Sequence, residues 1–158
     1  MANLIITIDG PAASGKSTVA RLLAKRLGAS FLDTGAMYRA VTLAAMRAGV
    51  DMSDEEKLLG VLDGNRFGFA IKKGEIPMYI GINGVDVTEQ IRSPAVTANA
   101  RYAASSAKVR AKLAEIQRQF ADAPLGVLPE GTPTGAKRRE EKIVTEGRDH
   151  GTMAFLHR

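Results

Sequence analysis

Leu4-Ile5-Ile6-Thr7-Ile8 is apolar or β-branched at every position, and a short run without alternation predicts a strand buried on both faces of a parallel sheet. Gly10 to Gly15 interrupt it. From Lys16 the spacing turns helical, with Val19, Leu22, Leu23 and Leu27 on one face and Gly28 placed to end the helix. Phe31-Leu32 predicts a second strand that stops at Asp33-Thr34-Gly35, and Met37 to Ala48 predict a helix closed by Gly49. Ser53 with Glu56 three residues later has the capping-box form, opening a brief helix through Leu58, Leu59 and Leu62 that ends at Asp63-Gly64.

Between Phe67 and Val87 the period falls to two. Phe67 to Ile71, Met78 to Ile82 and Val85 to Val87 are separated by Lys72-Lys73-Gly74 and Asn83-Gly84 turns, the pattern of an antiparallel meander. Ser93-Pro94 pairs a capping residue with proline at the first helical position, and Ala95 to Ala121 predict two helices in series with a break around Ser105-Ser106. Asp122 to Lys142 carry three prolines, three glycines and a mixed-charge run, so a long loop insertion is expected there. Ile143-Val144-Thr145 resume a strand pattern that ends at Glu146-Gly147-Arg148-Asp149, and a short apolar stretch, Met153 to Leu156, follows. No internal repeat is visible at solenoid periods.

The 158 residues are 45% hydrophobic and 25% charged, which argues against a disordered tail or a fibrous repeat and for one compact α/β domain. A net charge of +5 favours anionic partners such as phosphates without saying which. The absence of cysteine removes disulfides and thiolate metal sites and suits a reducing compartment. The N-terminal apolar run is broken by Asp9 and has no basic lead-in, so neither a signal peptide nor a membrane span is expected, and the location is expected to be cytoplasmic.

Gly10-Pro11-Ala12-Ala13-Ser14-Gly15-Lys16-Ser17 matches G-x-x-x-x-G-K-[ST], a loop whose backbone amides wrap phosphates while the lysine adds positive charge and the serine a magnesium ligand. It follows a strand and opens a helix, the context that gives the motif its meaning, because a helix N-terminus favours an anion. Lys16 would lie on the β- and γ-phosphates of a nucleoside triphosphate and Ser17 on Mg²⁺, with ATP and GTP both open. Arg39, Arg92, Arg110 and Arg148 are the cations available for a second substrate, although Arg39 and Arg110 also read as solvated helix charges. Asp33 has two readings of equal weight, a turn cap or a carboxylate beside Mg²⁺ at the carboxyl edge of the sheet. His150 and His157 have no partner spacing for a metal site or a triad, and the acids after Lys137-Arg138-Arg139 mark that run as solvated.

Asp33-Thr34-Gly35-Ala36-Met37-Tyr38-Arg39 together with the glycine loop resembles the bacterial cytidylate kinase family, P-loop nucleoside monophosphate kinases. Ile91-Arg92-Ser93-Pro94, Val109-Arg110, and Glu146-Gly147-Arg148-Asp149 followed by Gly151-Thr152 extend the resemblance over about 1–121 and 142–156. The resemblance implies a three-layer P-loop kinase fold, a parallel sheet flanked by helices with a small antiparallel nucleoside-monophosphate-binding insert. Residues 1–62 and 142–158 would form the core, 63–121 the insert and 122–141 a loop insertion. The implied activity is (d)CMP kinase, transfer of the ATP γ-phosphoryl group to CMP or dCMP in pyrimidine metabolism, with Mg²⁺ as cofactor.

On the same resemblance Gly10, Pro11, Ala12, Ala13, Ser14, Gly15, Lys16, Ser17 and Thr18 would bind ATP. Thr34, Arg39, Arg110, Arg148 and Asp149 would bind CMP, with Lys16, Arg39 and Arg148 catalytic and Ser17 and Asp33 at the metal. Guanidinium groups suit this task because they grip phosphate oxygens bidentately. Arg101 stands where the family usually places a serine that contacts the nucleotide, and 122–142 exceeds the usual short connection. The family also continues past the position of Arg158 with two further strands and an arginine-bearing lid, so a C-terminally shortened kinase is expected, with Leu4 to Ile8 at an exposed sheet edge and weak turnover or none. A monomer is expected for the family, with self-association through that edge as the departure. A nucleotide-binding protein without turnover is the alternative, and a basic nucleic-acid-binding domain, supported by charge alone, is the third reading; neither nucleic acid nor membrane is expected as a partner.

Overall fold

The computed structural model describes residues 4–11, 13–72, 75–122 and 142–147. The loop insertion expected at 122–141 and the apolar stretch at Met153 to Leu156 lie outside them, apart from Asp122. In chain order the elements are β1 (Leu4–Asp9), α1 (Lys16–Leu27), β2 (Ser30–Asp33), α2 (Thr34–Ala48), α3 (Glu55–Gly64), β3 (Phe67–Lys72), β4 (Glu75–Ile82), β5 (Val85–Asp86), α4 (Pro94–Ser105), α5 (Ala107–Asp122) and β6 (Lys142–Gly147). A 3₁₀ turn at Gln90–Arg92 precedes α4. The mixed α/β architecture, a parallel three-stranded sheet with helices and a separate three-stranded antiparallel sheet, is the one expected of a P-loop kinase.

The chain divides into two compact units. The first holds the residues through Thr34, Ala70–Met78 and those from Glu115 onward; the second holds Gly35–Phe69 and Tyr79–Ala114. In the first unit β6 is central, parallel to β1 on one side and β2 on the other. Ile6, Ile8, Phe31 and Val144 meet Ala20 and Ala24 of α1 in one apolar cluster, with Leu23 and Leu27 packed against it. Side chains alternate faces along a strand, so Asp33, two residues beyond Phe31, and Glu146, two beyond Val144, lie on the same α1-facing side at the carboxyl edge. The register pairs these two residues directly.

Two expectations change in this unit. β1 lies at the edge of the described sheet, but it is not buried on both faces: Ile5 to Ile8 are only half-buried and Leu4 is 53% exposed. On α1 the inward stripe is Ala20, Leu23, Ala24 and Leu27, an i, i+3, i+4, i+7 set in which the alanines are buried and the leucines half-buried. Val19 and Leu22 face outward, each 56% exposed, since the small alanines let the helix lie close to the sheet.

The second unit is built around Met37, Val41, Leu58, Ile91, Val96, Val109 and Leu113, all fully buried. Its α2 begins at Thr34, three residues earlier than the sequence predicted, since Gly35 is absorbed into the first turn. Asp54, not Ser53, caps α3: its carboxylate accepts from the Glu56 and Lys57 amides at 3.0 and 3.2 Å. Ser53 is instead tied back to Asp51, its hydroxyl donating to Oδ1 at 2.6 Å. Ser93 caps α4 with Pro94 at the first turn, and the chain breaks at Ser106 as expected. Asn83 and Gly84 both take positive φ, 52° and 81°, which a tight two-residue hairpin turn requires.

Candidate functional site

The phosphate loop runs from the end of β1 into α1, and its conformation follows from its composition. Gly15, the residue before the helix, has φ 85°, and Ala13 joins it in the left-handed region at 61°. Left-handed residues in such a loop turn successive amides toward one concavity, a nest for an anion. The Gly15 carbonyl accepts from the Val19 amide at 3.1 Å, closing the first turn of α1. A Cβ on Gly10 would sit 3.2 Å from the Ser14 hydroxyl oxygen, so glycine keeps the loop tight there. Lys16 folds across this loop, its Nζ donating to the Pro11 carbonyl at 3.3 Å. Ser14 and Thr18 are exposed and Ser17 is half-buried; Ala12 lies outside the described residues.

Ser17 meets β6. Its hydroxyl donates to Oε2 of Glu146 at 2.6 Å, and the carbonyl of the same Glu146 accepts from Thr34 Oγ1 at 2.7 Å. Thr145 ties β6 to β2, its hydroxyl donating to the Leu32 carbonyl at 3.2 Å. Asp33 and Glu146 are each 8% exposed and Thr34 is 2% exposed. The first unit therefore brings together Ser17, Thr34, Asp33 and Glu146 at the carboxyl edge of the parallel sheet, where open α/β folds take their ligands. Reading the sequence singled out the first three. Glu146 was visible only as part of the Glu146-Gly147-Arg148-Asp149 segment, and its place at the end of an apolar strand, Ile143-Val144-Thr145, was the available signal.

Magnesium in phosphoryl transfer is held by few protein groups, with phosphate oxygens and waters completing the octahedron. One hydroxyl and two nearby carboxylates suit that demand, and among the described residues no set of three or more His, Asp or Glu forms a cage of its own.

Of the other expected acceptor-side residues, Arg39 and Arg110 lie in the second unit. Arg39 on α2 donates from Nη1 to Thr97 Oγ1 of α4 at 3.2 Å. Arg110 on α5 hydrogen-bonds the Tyr38 hydroxyl; burial pushes that phenol above its ordinary value, and the guanidinium pulls the other way. Arg101 is exposed, stacked 5.0 Å over the ring of its neighbour Tyr102 and donating to its hydroxyl at 3.3 Å. Arg148 and Asp149 lie outside the described residues, as do His150 and His157. Among the described residues no helix is long and apolar enough to cross a membrane.

Comparison with known proteins supplies the remaining evidence. The family model for cytidylate kinase matches residues 6–157. A cytidylate kinase of Lactobacillus johnsonii is 37% identical over 150 residues, covering 95% of this chain and 57% of the relative. One from Rhodopirellula baltica is 40% identical over 152 residues, 96% of this chain and 56% of the relative. A third, from Pelotomaculum thermopropionicum, is 47% identical over 165 residues, 90% of this chain and 71% of the relative. The chain thus spans less than two thirds of the length of the first two relatives.

Proposed function

The chain belongs to the cytidylate kinase family, and from that premise we propose that it transfers the γ-phosphoryl group of ATP to CMP or dCMP, giving the nucleoside diphosphate and ADP. The observation that carries this reading is the phosphate cradle. Ala13 and Gly15 are left-handed, Lys16 sits at the start of α1, and Ser17 lies against the carboxyl edge of the sheet.

In this reading the loop from Gly10 to Thr18 holds the triphosphate through the backbone amides of its non-proline residues, and Lys16 leaves the Pro11 carbonyl to neutralise the β- and γ-phosphates. Ser17 and Asp33 hold magnesium, which when bound screens the negative charge that gathers on the transferring group. Arg39, Arg110 and Arg148 grip the acceptor phosphate, and phosphoryl transfer gains chiefly from positioning of its reactants. Thr34 and Asp149 face the nucleoside; the Thr34 hydroxyl, having given its hydrogen to Glu146, offers only lone pairs and suits a donor such as the cytosine amine. Nucleotide chemistry of this kind, in a chain without cysteine, supports a cytoplasmic location.

A coupled assay of ADP release with CMP, dCMP, UMP and AMP tests the proposal. The cytidine nucleotides are expected to lead the acceptor series, however slow the absolute rate. Preference for AMP overturns the substrate assignment, and ADP release that no acceptor stimulates overturns the transfer itself.

A further inference from the structure

Positive charge is left uncompensated on the helices of the second unit. α2 and α4 contain no Asp or Glu, and neither does α5 as far as Ala114. The carboxylates of α3 are taken by α5: Glu55 accepts from the Ser106 hydroxyl and the Lys108 amide, Glu56 pairs with Lys108 and Asp63 with Lys112. Arg39 and Arg101 are left with hydroxyls. Arg39 donates to Thr97 Oγ1 at 3.2 Å and Arg101 to the Tyr102 hydroxyl at 3.3 Å, and among the described residues neither has a carboxylate partner. The two arginines also meet the same helix face. Arg101 follows Thr97 by four positions on α4, so their Cβ atoms are about 5–6 Å apart on one face. Helical side chains lean toward the helix N-terminus, which brings Arg101 within reach of the Arg39 guanidinium at Thr97. At present Arg101 is exposed and rests 5.0 Å over the Tyr102 ring, a weak stack at an exposed site. Two guanidiniums on adjoining turns repel each other unless an anion lies between them.

We propose that Arg101 is a further ligand of the acceptor phosphate: its guanidinium swings from Tyr102 to join Arg39 on the phosphate of the nucleoside monophosphate. The proposal rests on the nucleotide-kinase reading above and adds to it a residue to which that reading gives no role. Phosphate is the ligand that such a pair fits, because it is doubly charged near neutral pH and each planar fork can grip its oxygens bidentately. A base edge or a ribose hydroxyl offers only neutral acceptors and leaves both guanidinium charges uncompensated. The two cases separate by experiment. A phosphate ligand serves every nucleoside monophosphate alike, whereas a group that reads base or sugar changes CMP relative to UMP or dCMP.

The test is calorimetric titration of the whole chain with CMP, dCMP, UMP and ATP, for the wild type, Arg101→Met and Arg101→Lys. Circular dichroism reports whether each variant folds. Arg101→Met is expected to weaken all three monophosphates by one common factor of about tenfold, the loss of one charged hydrogen bond, and to leave ATP affinity unchanged. Arg101→Lys keeps a point charge without the fork and is expected to fall between; it carries the same prediction if the methionine variant does not fold. Added salt is expected to narrow the gap between wild type and Arg101→Met, since exposed charges are screened. Unequal losses among CMP, dCMP and UMP overturn the phosphate contact in favour of base or sugar recognition. An equal loss of ATP affinity overturns it in favour of a general charge effect, and unchanged affinities throughout overturn it by showing Arg101 to be a solvated charge. These three outcomes leave the kinase reading standing. A wild-type chain that binds none of the monophosphates overturns the kinase reading and this proposal with it.

Discussion

In the loop-bearing unit the main chain holds the polar groups: Ala13 and Gly15 are left-handed, the Thr145 hydroxyl bonds the Leu32 carbonyl of the neighbouring strand, and Thr34 at the start of α2 bonds the Glu146 carbonyl. In the helical unit the comparable groups are long side chains held by other side chains, Arg39 by Thr97 and Arg110 by Tyr38. The contrast is one of stiffness. A cradle of amides and short side chains is pre-organised for a fixed polyphosphate shape. A guanidinium on a four-bond stem moves with its helix and gives up a neutral hydroxyl partner readily for a phosphate, because charge-assisted bonds are about twice as strong as neutral ones. The first arrangement is sensitive to backbone changes, and the second to the shape of the cation.

The strongest way to break this contrast is to remove one cation from each side. Lys16→Ala is expected to lower kcat by about 10²–10³-fold, the usual loss when one pre-organised group facing developing charge is removed, and to weaken ATP binding. Arg110→Lys keeps the charge but loses the planar fork, and should raise KM for the acceptor about tenfold, the worth of one charged hydrogen bond, with ATP affinity unchanged. Steady-state kinetics in both substrates decide; an Arg110→Lys variant impaired in ATP binding would sink the division of labour.

A smaller effect separates the backbones. Gly15 has φ 85° and nothing within 4 Å of an added Cβ, so Gly15→Ala suffers only the left-handed penalty of about 1–2 kcal/mol. Gly60 on α3 also has open space, but its φ is not in that region, so Gly60→Ala should stabilise by about 0.5–1 kcal/mol. Urea midpoints are expected to move in opposite directions, and parallel shifts would refute the claim that the loop depends on backbone geometry.

The smallest effect concerns the helical unit alone. The Glu55 carboxylate accepts from the Ser106 hydroxyl at 2.7 Å and the Lys108 amide at 3.2 Å, and these bonds hold its pKa below the ordinary carboxylate value. Because the folded value is the lower one, the stabilisation is complete above the unfolded pKa and is lost as pH falls through the folded one. Glu55→Gln should be less stable than wild type at neutral pH, and the gap should close in acid. A gap that stayed constant on acidification would show that the bonds do not depend on the charge. Glu56 with Lys108 and Asp63 with Lys112 run between the same helices, but as exposed pairs they contribute little.

Much of this molecule is legible in its sequence. The glycine loop, the end of α1 at Gly28, the Asn83-Gly84 turn and the Ser93-Pro94 start each rest on a few adjacent residues whose allowed φ/ψ values are narrow, so local chemistry dictates them. Structure and sequence pattern part where two local signals compete. Ser53 and Asp54 both offer an oxygen to the α3 amides, and the side chain of Asp51 settled the choice by taking Ser53. Val19 and Leu22 belong to an apolar set as plausible on paper as Ala20 and Ala24; the small alanines won because they allow α1 to lie close to the sheet.

Glu146 marks the boundary between the two kinds of knowledge. Its identity, and its position at the end of an apolar strand, stand in the chain as written, as do the phosphate loop, the arginines and the resemblance they carry. That its carboxylate reaches a serine 129 positions away, beside Asp33, follows from β6 entering between β1 and β2 in one particular register. Register is a property of paired strands, and a slip of one residue would turn that side chain to the opposite face. Local conformation is written in neighbouring residues, whereas the company a side chain keeps is settled only when distant segments pack.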